Sequence, residues 1–119
     1  MPASFQHDVG NIFRLDISGQ LTAADYAVLQ RKAAAEIERA GNMRLLVVLA
    51  GFDGWAPGGN WQDLGFYIRY ADNIERIAIV GDERWRSEAL MFVGADLRRS
   101  AVSFFPTAEA GRAADWLAG

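Results

Sequence analysis

The chain has 119 residues, of which 51% are hydrophobic and 23% charged, a length and composition typical of one folded domain. Its formal net charge of −3 disfavours general nucleic-acid binding, and the absence of cysteine excludes disulfides, thiol catalysis and cysteine-ligated metals. The N-terminal residues show no signal-peptide pattern, and no apolar run approaches the roughly 20 residues of a membrane span. We therefore expect a cytoplasmic protein without a transmembrane segment.

The N-terminal third of the chain predicts a β-hairpin followed by a helix. Apolar and polar residues alternate on both sides of the turn pair Gly10 and Asn11, which is typical of a hairpin. Thr22 is a suitable residue to begin a helix, because Asp25 stands three residues later as in a capping box. Gly41 is a suitable residue to end that helix.

The rest of the chain alternates between apolar runs and helical patterns. Residues 44–50 (RLLVVLA) form a continuous apolar run, which is typical of a strand buried on both faces. A glycine-rich loop follows this strand. The later predicted elements are a helix from Asn60 to about Ala71, a strand at 76–81, a helix capped by Asp82, a strand at 101–105 and a final helix capped by Thr107.

The element order ββαβαβαβα predicts an α/β fold. Helices that alternate with apolar strands indicate right-handed crossovers, and hence a mainly parallel five-stranded sheet with four packing helices. The first hairpin then adds an antiparallel N-terminal edge. Residues 1–119 show no linker or internal repeat, so we expect a single domain.

The predicted helix that begins at Asn60 has two apolar sides. On a helical projection Trp61 lies on the stripe expected to face the sheet, whereas Phe66, Tyr67 and Tyr70 fall on the far side. The aromatic residues on the far side are therefore expected to pack against something other than the sheet. A neighbouring helix or loop, a partner subunit and an apolar ligand all remain open.

Candidate catalytic residues are sparse. His7 is the only histidine, which excludes multi-histidine metal sites and leaves little for Ser-His chemistry. Asp53 and Asp82 both follow apolar strands, so they are expected near one edge of the sheet, where a carboxylate pair can do acid–base chemistry. Their simpler interpretations are a turn and a helix cap. We predict no cofactor and no metal.

Five segments together resemble the SpoIIAA-like bacterial family, whose members are small STAS-fold proteins grouped with CRAL-TRIO lipid-binding domains. The segments are GQLT at 19–22, RLLVVLAGFDGW at 44–55, WQDL at 61–64, RIAIVGDERW at 76–85 and ADWL at 114–117. The resemblance implies a sheet with helices packed around it, in agreement with the predicted element order.

Two functional ideas come with this resemblance. STAS anti-sigma-factor antagonists are phosphorylated on a serine in the turn after a central strand, but the equivalent turn here, residues 51–55, has no hydroxyl group. We therefore predict no phosphorylation site. CRAL-TRIO domains bind lipids, and a partial groove in this smaller chain would use the aromatic residues around the glycine-rich loop.

Our leading expectation is a non-enzymatic binding or regulatory module that acts through a homodimer or a protein partner. The alternative is a small carrier or sensor of an apolar or lipid-like molecule, and a weaker one is an enzyme that uses Asp53 or Asp82. The candidate ligand or interface residues are Phe52, Asp53, Trp55, Trp61, Phe66, Tyr67 and Tyr70.

Overall fold

The computed structural model describes residues 3–57, 69–95 and 99–119, and these contain one five-stranded sheet with strand order β1-β2-β3-β4-β5. The strands are β1 (Ala3–His7), β2 (Ile12–Leu21), β3 (Met43–Trp55), β4 (Ile74–Gly81) and β5 (Ala101–Pro106). The helices are α1 (Ala23–Ala40), α2 (Arg86–Phe92) and α3 (Ala110–Ala118), with 3-10 turns at Ala71–Asn73, Glu83–Trp85 and Thr107–Glu109.

The pairing of the strands confirms the predicted α/β fold. β1 is antiparallel to β2, and every other neighbouring pair is parallel. The described ranges contain three α-helices, whereas four are predicted from the sequence. The predicted second helix falls mostly on residues 58–68, which lie outside the described residues; Arg69 and Tyr70 are helical.

The helices cover both faces of the sheet, and the sequential strand order explains which helix lies where. Right-handed crossovers between consecutive parallel strands place the intervening helices on the same face. Accordingly, Leu29 of α1 and Ala89 of α2 belong to one apolar cluster. α3 follows the last strand and is free to fold onto the other face, where Ala113 and Leu117 form a second cluster.

The central strands are buried on both faces, which accounts for their continuous apolar sequence. On β3, Val47 packs in the cluster under α1 and α2, whereas Leu46 packs in the cluster under α3. Ile77 and Ala78 of β4 alternate between the two clusters in the same way. Successive side chains of a strand point to opposite faces, so both faces need apolar residues.

The predicted end residues of α1 are confirmed, but one predicted cap is wrong. Thr22 Oγ1 accepts a hydrogen bond from the Asp25 N–H at 3.1 Å, and Gly41 ends the helix with φ of 96°. Thr107 instead lies inside a 3-10 turn, and the extended residue before that turn is Pro106, with ψ of 153°. A cap needs a non-helical backbone, and Thr107 does not have one.

Two arginines from the sheet hold the end of α3. Arg44 Nη1 donates to the Leu117 carbonyl at 2.7 Å, and Arg76 Nη1 donates to the Trp116 carbonyl at 2.6 Å. The Arg76 guanidinium also lies over the Trp116 ring, 5.3 Å from its centroid. Cations at a helix C-terminus satisfy carbonyls that lack intrahelical partners and oppose the helix dipole.

Candidate functional site

The segment 51–55, predicted as a turn, is the end of strand β3. It pairs with β2 as far as Trp55, which lies opposite Leu21. The prediction of a turn is wrong, because the strand continues through both glycines instead of ending at them. Gly51 and Gly54 have φ of 67° and 100°, values that a strand accommodates at a bulge.

Two bulges change which side chains face α1 and α2. The pairs along this part of the sheet are Ile17 with Leu49, Gly19 with Phe52 and Gln20 with Gly54. β3 therefore gains one extra residue at each of the two steps. Each extra residue reverses the alternation of side chains, and as a result Phe52 and Trp55 both pack on the face that carries α1 and α2.

Phe52 and Trp55 belong to a group of four aromatic rings, which we call the aromatic cluster: Phe52, Trp55, Trp85 and Phe92. The Trp55 centroid lies 5.0 Å from that of Phe52, 6.0 Å from that of Trp85 and 5.2 Å from that of Phe92. The contacts are edge-on or tilted, the geometry that aromatic quadrupoles favour. The cluster joins the end of β3 to the region of α2.

Beside the aromatic cluster lies an apolar cavity of about 90 Å³, partly open to solvent, between the sheet and helices α1 and α2. Its described lining comes from β1 to β4, from α1 and from the α2 region, and includes Phe52, Trp55 and Phe92. Among these lining residues no side chain is charged; the polar groups belong to Gln30, Tyr26 and Trp55.

The cavity exists because α1 and α2 each place a small side chain over it. Ala33 of α1 and Ala89 of α2 are both buried and both line the cavity. On the sheet side the floor is formed by larger residues, including Val47 and Ile77. Protein interiors are usually packed with few voids larger than a water molecule, so alanine at both helix positions leaves a space that leucine would occupy.

One polar atom of the aromatic cluster has no partner among the described residues. Trp55 Nε1 is buried, and no hydrogen-bond acceptor within the described ranges pairs with it. Buried indole N–H groups usually find an acceptor, and an unsatisfied buried donor costs about 1–3 kcal/mol. Trp55 thus combines a ring that lines the cavity with a donor that lacks an acceptor.

The other predicted site residues are placed as follows. Asp53 is exposed on β3, between Phe52 and Trp55. Tyr70 is half-buried against the core, and its hydroxyl donates to Glu38 of α1 at 2.7 Å, a bond that raises the pKa of Tyr70. Tyr70 is not among the described cavity-lining residues. The predicted candidates Trp61, Phe66 and Tyr67 lie outside the described residues.

The two aspartates considered for acid–base chemistry are both exposed. The Asp82 carboxylate accepts a hydrogen bond from the Arg84 N–H at 3.0 Å, as expected for a cap, although it caps a 3-10 turn that precedes α2. Within residues 3–57, 69–95 and 99–119, no group of three or more His, Cys, Asp or Glu side chains is arranged to hold a metal ion. No helix in these ranges is long and apolar enough to span a bilayer.

The helical residues of the cavity are absent from the sequence-based list of candidates. Leu29 and Ala33 have the spacing of a core-facing helical stripe, and a core stripe looks the same whether or not space remains beneath it. Gln30 is next to this stripe and lines the cavity through its position on α1. The one available signal is the run of small residues 33–35 within an otherwise ordinary helix.

The sequence and the fold match known proteins at the level of the family. The family model described as SpoIIAA-like matches residues 12–118, and the chain belongs to the SpoIIAA-like family. A solved structure of an uncharacterized protein of the DUF3478 family with a SpoIIAA-like fold, from Shewanella loihica PV-4, is similar to it. The identity is 21% and the TM-score 0.72, over 97% of this chain and 91% of that one. No curated protein matches significantly.

Proposed function

We propose that this protein is a non-enzymatic binding module that holds a small apolar molecule in the cavity between the sheet and helices α1 and α2. The observation that carries the proposal is the cavity itself, with about 90 Å³ of apolar space beside the aromatic cluster. For comparison, an apolar cavity of about 150 Å³ engineered into another protein stays dry and binds benzene. The space here suits a small ring or the end of an aliphatic chain.

The lining favours binding by burial of apolar surface rather than by ionic contacts. Ligand pockets are typically apolar, with a few polar groups that orient the ligand, and the described lining has this composition. The strand at 51–55 carries no hydroxyl side chain, so the proposed module works without a phosphoserine at this place. The absence of cysteine is compatible with a role in the reducing cytoplasm.

The experiment is native mass spectrometry of the purified protein, with an organic extract of the same sample analysed beside it. We expect a protein-bound mass that reappears in the extract. Ala33→Leu fills the cavity and should abolish that bound mass. Ala35→Leu makes the same change at an exposed position of the same helix and should retain it.

A wild-type protein that carries no added mass, and takes up none when incubated with toluene, would contradict the proposal. Equal occupancy of wild type and Ala33→Leu would also contradict it, because the bound molecule would then lie elsewhere. The Ala35→Leu control separates these results from a general effect of added apolar surface on α1.

A contact with a protein partner or with a second copy of the chain is the second candidate function. The observation that favours it is Met91 of α2, a large apolar residue that is 76% exposed. Methionine is enriched at protein interfaces. If α2 forms such a contact, Met91→Glu should convert a dimer to a monomer in native mass spectrometry, whereas Glu88→Gln on the same helix should not.

A further inference from the structure

The lining of the cavity extends far along the strands. Five successive residues of β3 that face α1 and α2 line it: Leu45, Val47, Leu49, Phe52 and Trp55. The first and last of these, Leu45 and Trp55, pair with Phe13 and Leu21 of β2, which are eight residues apart. At about 3.2 Å per residue in a twisted sheet, this row of lining residues covers about 25 Å along the strands.

Across the strands the lining is shorter. It begins at β1 with Phe5 and reaches β4 with Ile74, Ile77 and Ile79, and none of the described lining residues belongs to β5. Neighbouring strands lie about 4.8 Å apart, so the distance from β1 to β4 is about 14 Å. Side chains extend into the space by similar amounts along and across the strands, so the cavity is longer than it is wide by about 10 Å.

The lining on α1 has the same direction. α1 contributes Tyr26, Leu29, Gln30 and Ala33, which lie on one stripe along the helix axis. At about 1.5 Å per residue this stripe is about 10 Å long. Because α1 connects the parallel strands β2 and β3, it runs back along the sheet, and its stripe therefore follows the strands.

The volume of the cavity decides between a compact and an extended ligand. A round space of about 90 Å³ would be only about 6 Å across, roughly the distance between neighbouring residues on one face of a strand. Such a space would touch about two or three residues of β3 rather than five. The same volume extended along the strands is narrow, and it fits a chain of carbon atoms in single file better than a branched centre.

We infer that the ligand is an unbranched alkyl chain that lies extended along β3, between the sheet and α1. The inference rests on the proposed function and specifies the ligand class for the same cavity. Each further methylene group that enters the apolar space tightens binding about fourfold, so an extended chain gains affinity along its length. A free fatty acid and the tail of a larger lipid share this chemistry.

The test uses two isomers of the same formula, n-hexane and 2,2-dimethylbutane, which differ only in shape. Each is titrated into the wild type, and its dissociation constant is expressed as a fraction of its solubility in water. This scale cancels the different cost of removing the two probes from water. We expect 2,2-dimethylbutane to bind about 5- to 150-fold more weakly, the range for forcing a wider group into a packed interior.

Crystals exposed to n-hexane vapour show the shape of the bound probe directly. We expect extended electron density that follows β3 and contacts Val47, Leu49 and Phe52 together. In Ala33→Leu this density should be absent, because the larger side chain occupies the cavity. Density in Ala33→Leu equal to that in the wild type would place the probe outside the cavity and contradict the inference.

The outcomes separate this inference from the proposed function. If the two isomers bind equally well, or if the n-hexane density is round and touches only one of the three β3 residues, the inference is wrong and the apolar cavity stands. The same holds if toluene binds and neither isomer does. If none of the three probes binds, the proposed function is contradicted as well.

The organic extract of the purified protein tests the same inference with the natural ligand. A free fatty acid or a lipid with an unbranched tail supports it, and the mass distinguishes these two sources. A bound molecule that is cyclic or branched throughout contradicts it.

Discussion

The indole ring of Trp55 meets the ring of Phe52 edge to face, with the centroids 5.0 Å apart and the planes at 86°. The two residues are three positions apart on one strand, a spacing that in a regular strand places side chains on opposite faces. They meet because β3 has one extra residue between Phe52 and Gly54, opposite the step from Gly19 to Gln20 of β2. The aromatic wall of the cavity therefore depends on a bulge in the backbone. Gly54 permits this bulge because glycine readily adopts a positive φ.

The first prediction concerns Gly54, where we expect alanine to be destabilising. Gly54 has φ of 100°, and a Cβ atom added there would lie 3.2 Å from Cη2 of Trp85. The positive φ and the close contact should together lower the free energy of unfolding by about 1–3 kcal/mol, as measured by urea denaturation. Gly51→Ala is the control, because its φ of 67° is also positive but its added Cβ would meet open space.

The contribution of the ring at Gly54 can be isolated with a second variant. In a Trp85→Leu background the close contact is removed, so Gly54→Ala should cost less than it does in the wild type. Equal losses in the two backgrounds would show that the backbone angle alone sets the cost, and that the approach of Trp85 to the strand has no energetic effect.

The second prediction is that Ala33→Leu stabilises the ligand-free protein. Ala33 lines the cavity, so added methyl groups enter existing apolar space instead of displacing neighbours. We expect a gain of about 0.5–2 kcal/mol in the free energy of unfolding, the usual range for filling a cavity. Ala35→Leu adds the same groups in solvent and should change the free energy of unfolding by less than about 0.5 kcal/mol. A loss in Ala33→Leu would mean that the position is already fully packed.

The sequence predicts the layers of this fold well and the shape of its site poorly. Burial of the apolar run 44–50 follows from composition alone, and the Thr22 cap follows from local hydrogen bonding. The bulges after Leu49 do not follow from either, because an aspartate-glycine pair such as Asp53 and Gly54 occurs in turns as well as in bulged strands. Which interpretation holds is decided by the pairing of β3 with β2, a contact between residues distant in sequence.

The third prediction compares two threonines that both resemble helix caps in the sequence. Thr22 Oγ1 accepts a hydrogen bond from the Asp25 N–H, whereas Thr107 makes no side-chain capping bond for the turn in which it lies. Thr22→Ala should lower the free energy of unfolding by about 0.5–2 kcal/mol. Thr107→Ala should change it by less than about 0.5 kcal/mol. Losses of similar size would mean that the Thr22 hydrogen bond does not stabilise α1.

The fourth prediction concerns the acid sensitivity of the protein and rests on Glu75 of β4. Its carboxylate accepts hydrogen bonds from Arg44 Nε at 3.1 Å and from the amide groups of Asn11 and Asn42, each at 3.3 Å. The Arg44 bond contributes most to holding the pKa of Glu75 below its usual value of 4.5. Because the folded state lowers this pKa, the stabilisation is present above the unfolded-state pKa and is lost as the pH falls through the folded-state pKa.

Glu75→Gln should therefore reduce the free energy of unfolding at neutral pH, and the difference from wild type should shrink as the pH falls well below 4.5. Urea denaturation at several pH values measures this difference. Glu88→Gln, a change of an exposed glutamate on α2, is the control and should have a smaller effect at neutral pH. A Glu75→Gln difference that is constant with pH would contradict the prediction.

Some residues of the candidate site could be identified from the sequence and others could not. Phe52 and Trp55 are identified from the sequence because aromatic side chains beside glycine are unusual. Ala33 and Ala89 complete the cavity, but alanine on a core-facing helix position gives no indication of what lies opposite. Empty space is a property of the whole packing arrangement, and it becomes visible only when helix and sheet are placed together.

Crystals held under xenon pressure test whether the space between α1 and the sheet accepts a small apolar molecule. Xenon occupies dry apolar cavities without needing a polar contact. We expect a xenon atom between Leu29, Ile77 and Trp55 in the wild type, and none there in Ala33→Leu. If the wild-type crystal holds no xenon at this place, or if the xenon persists in Ala33→Leu, the cavity does not bind apolar molecules as proposed.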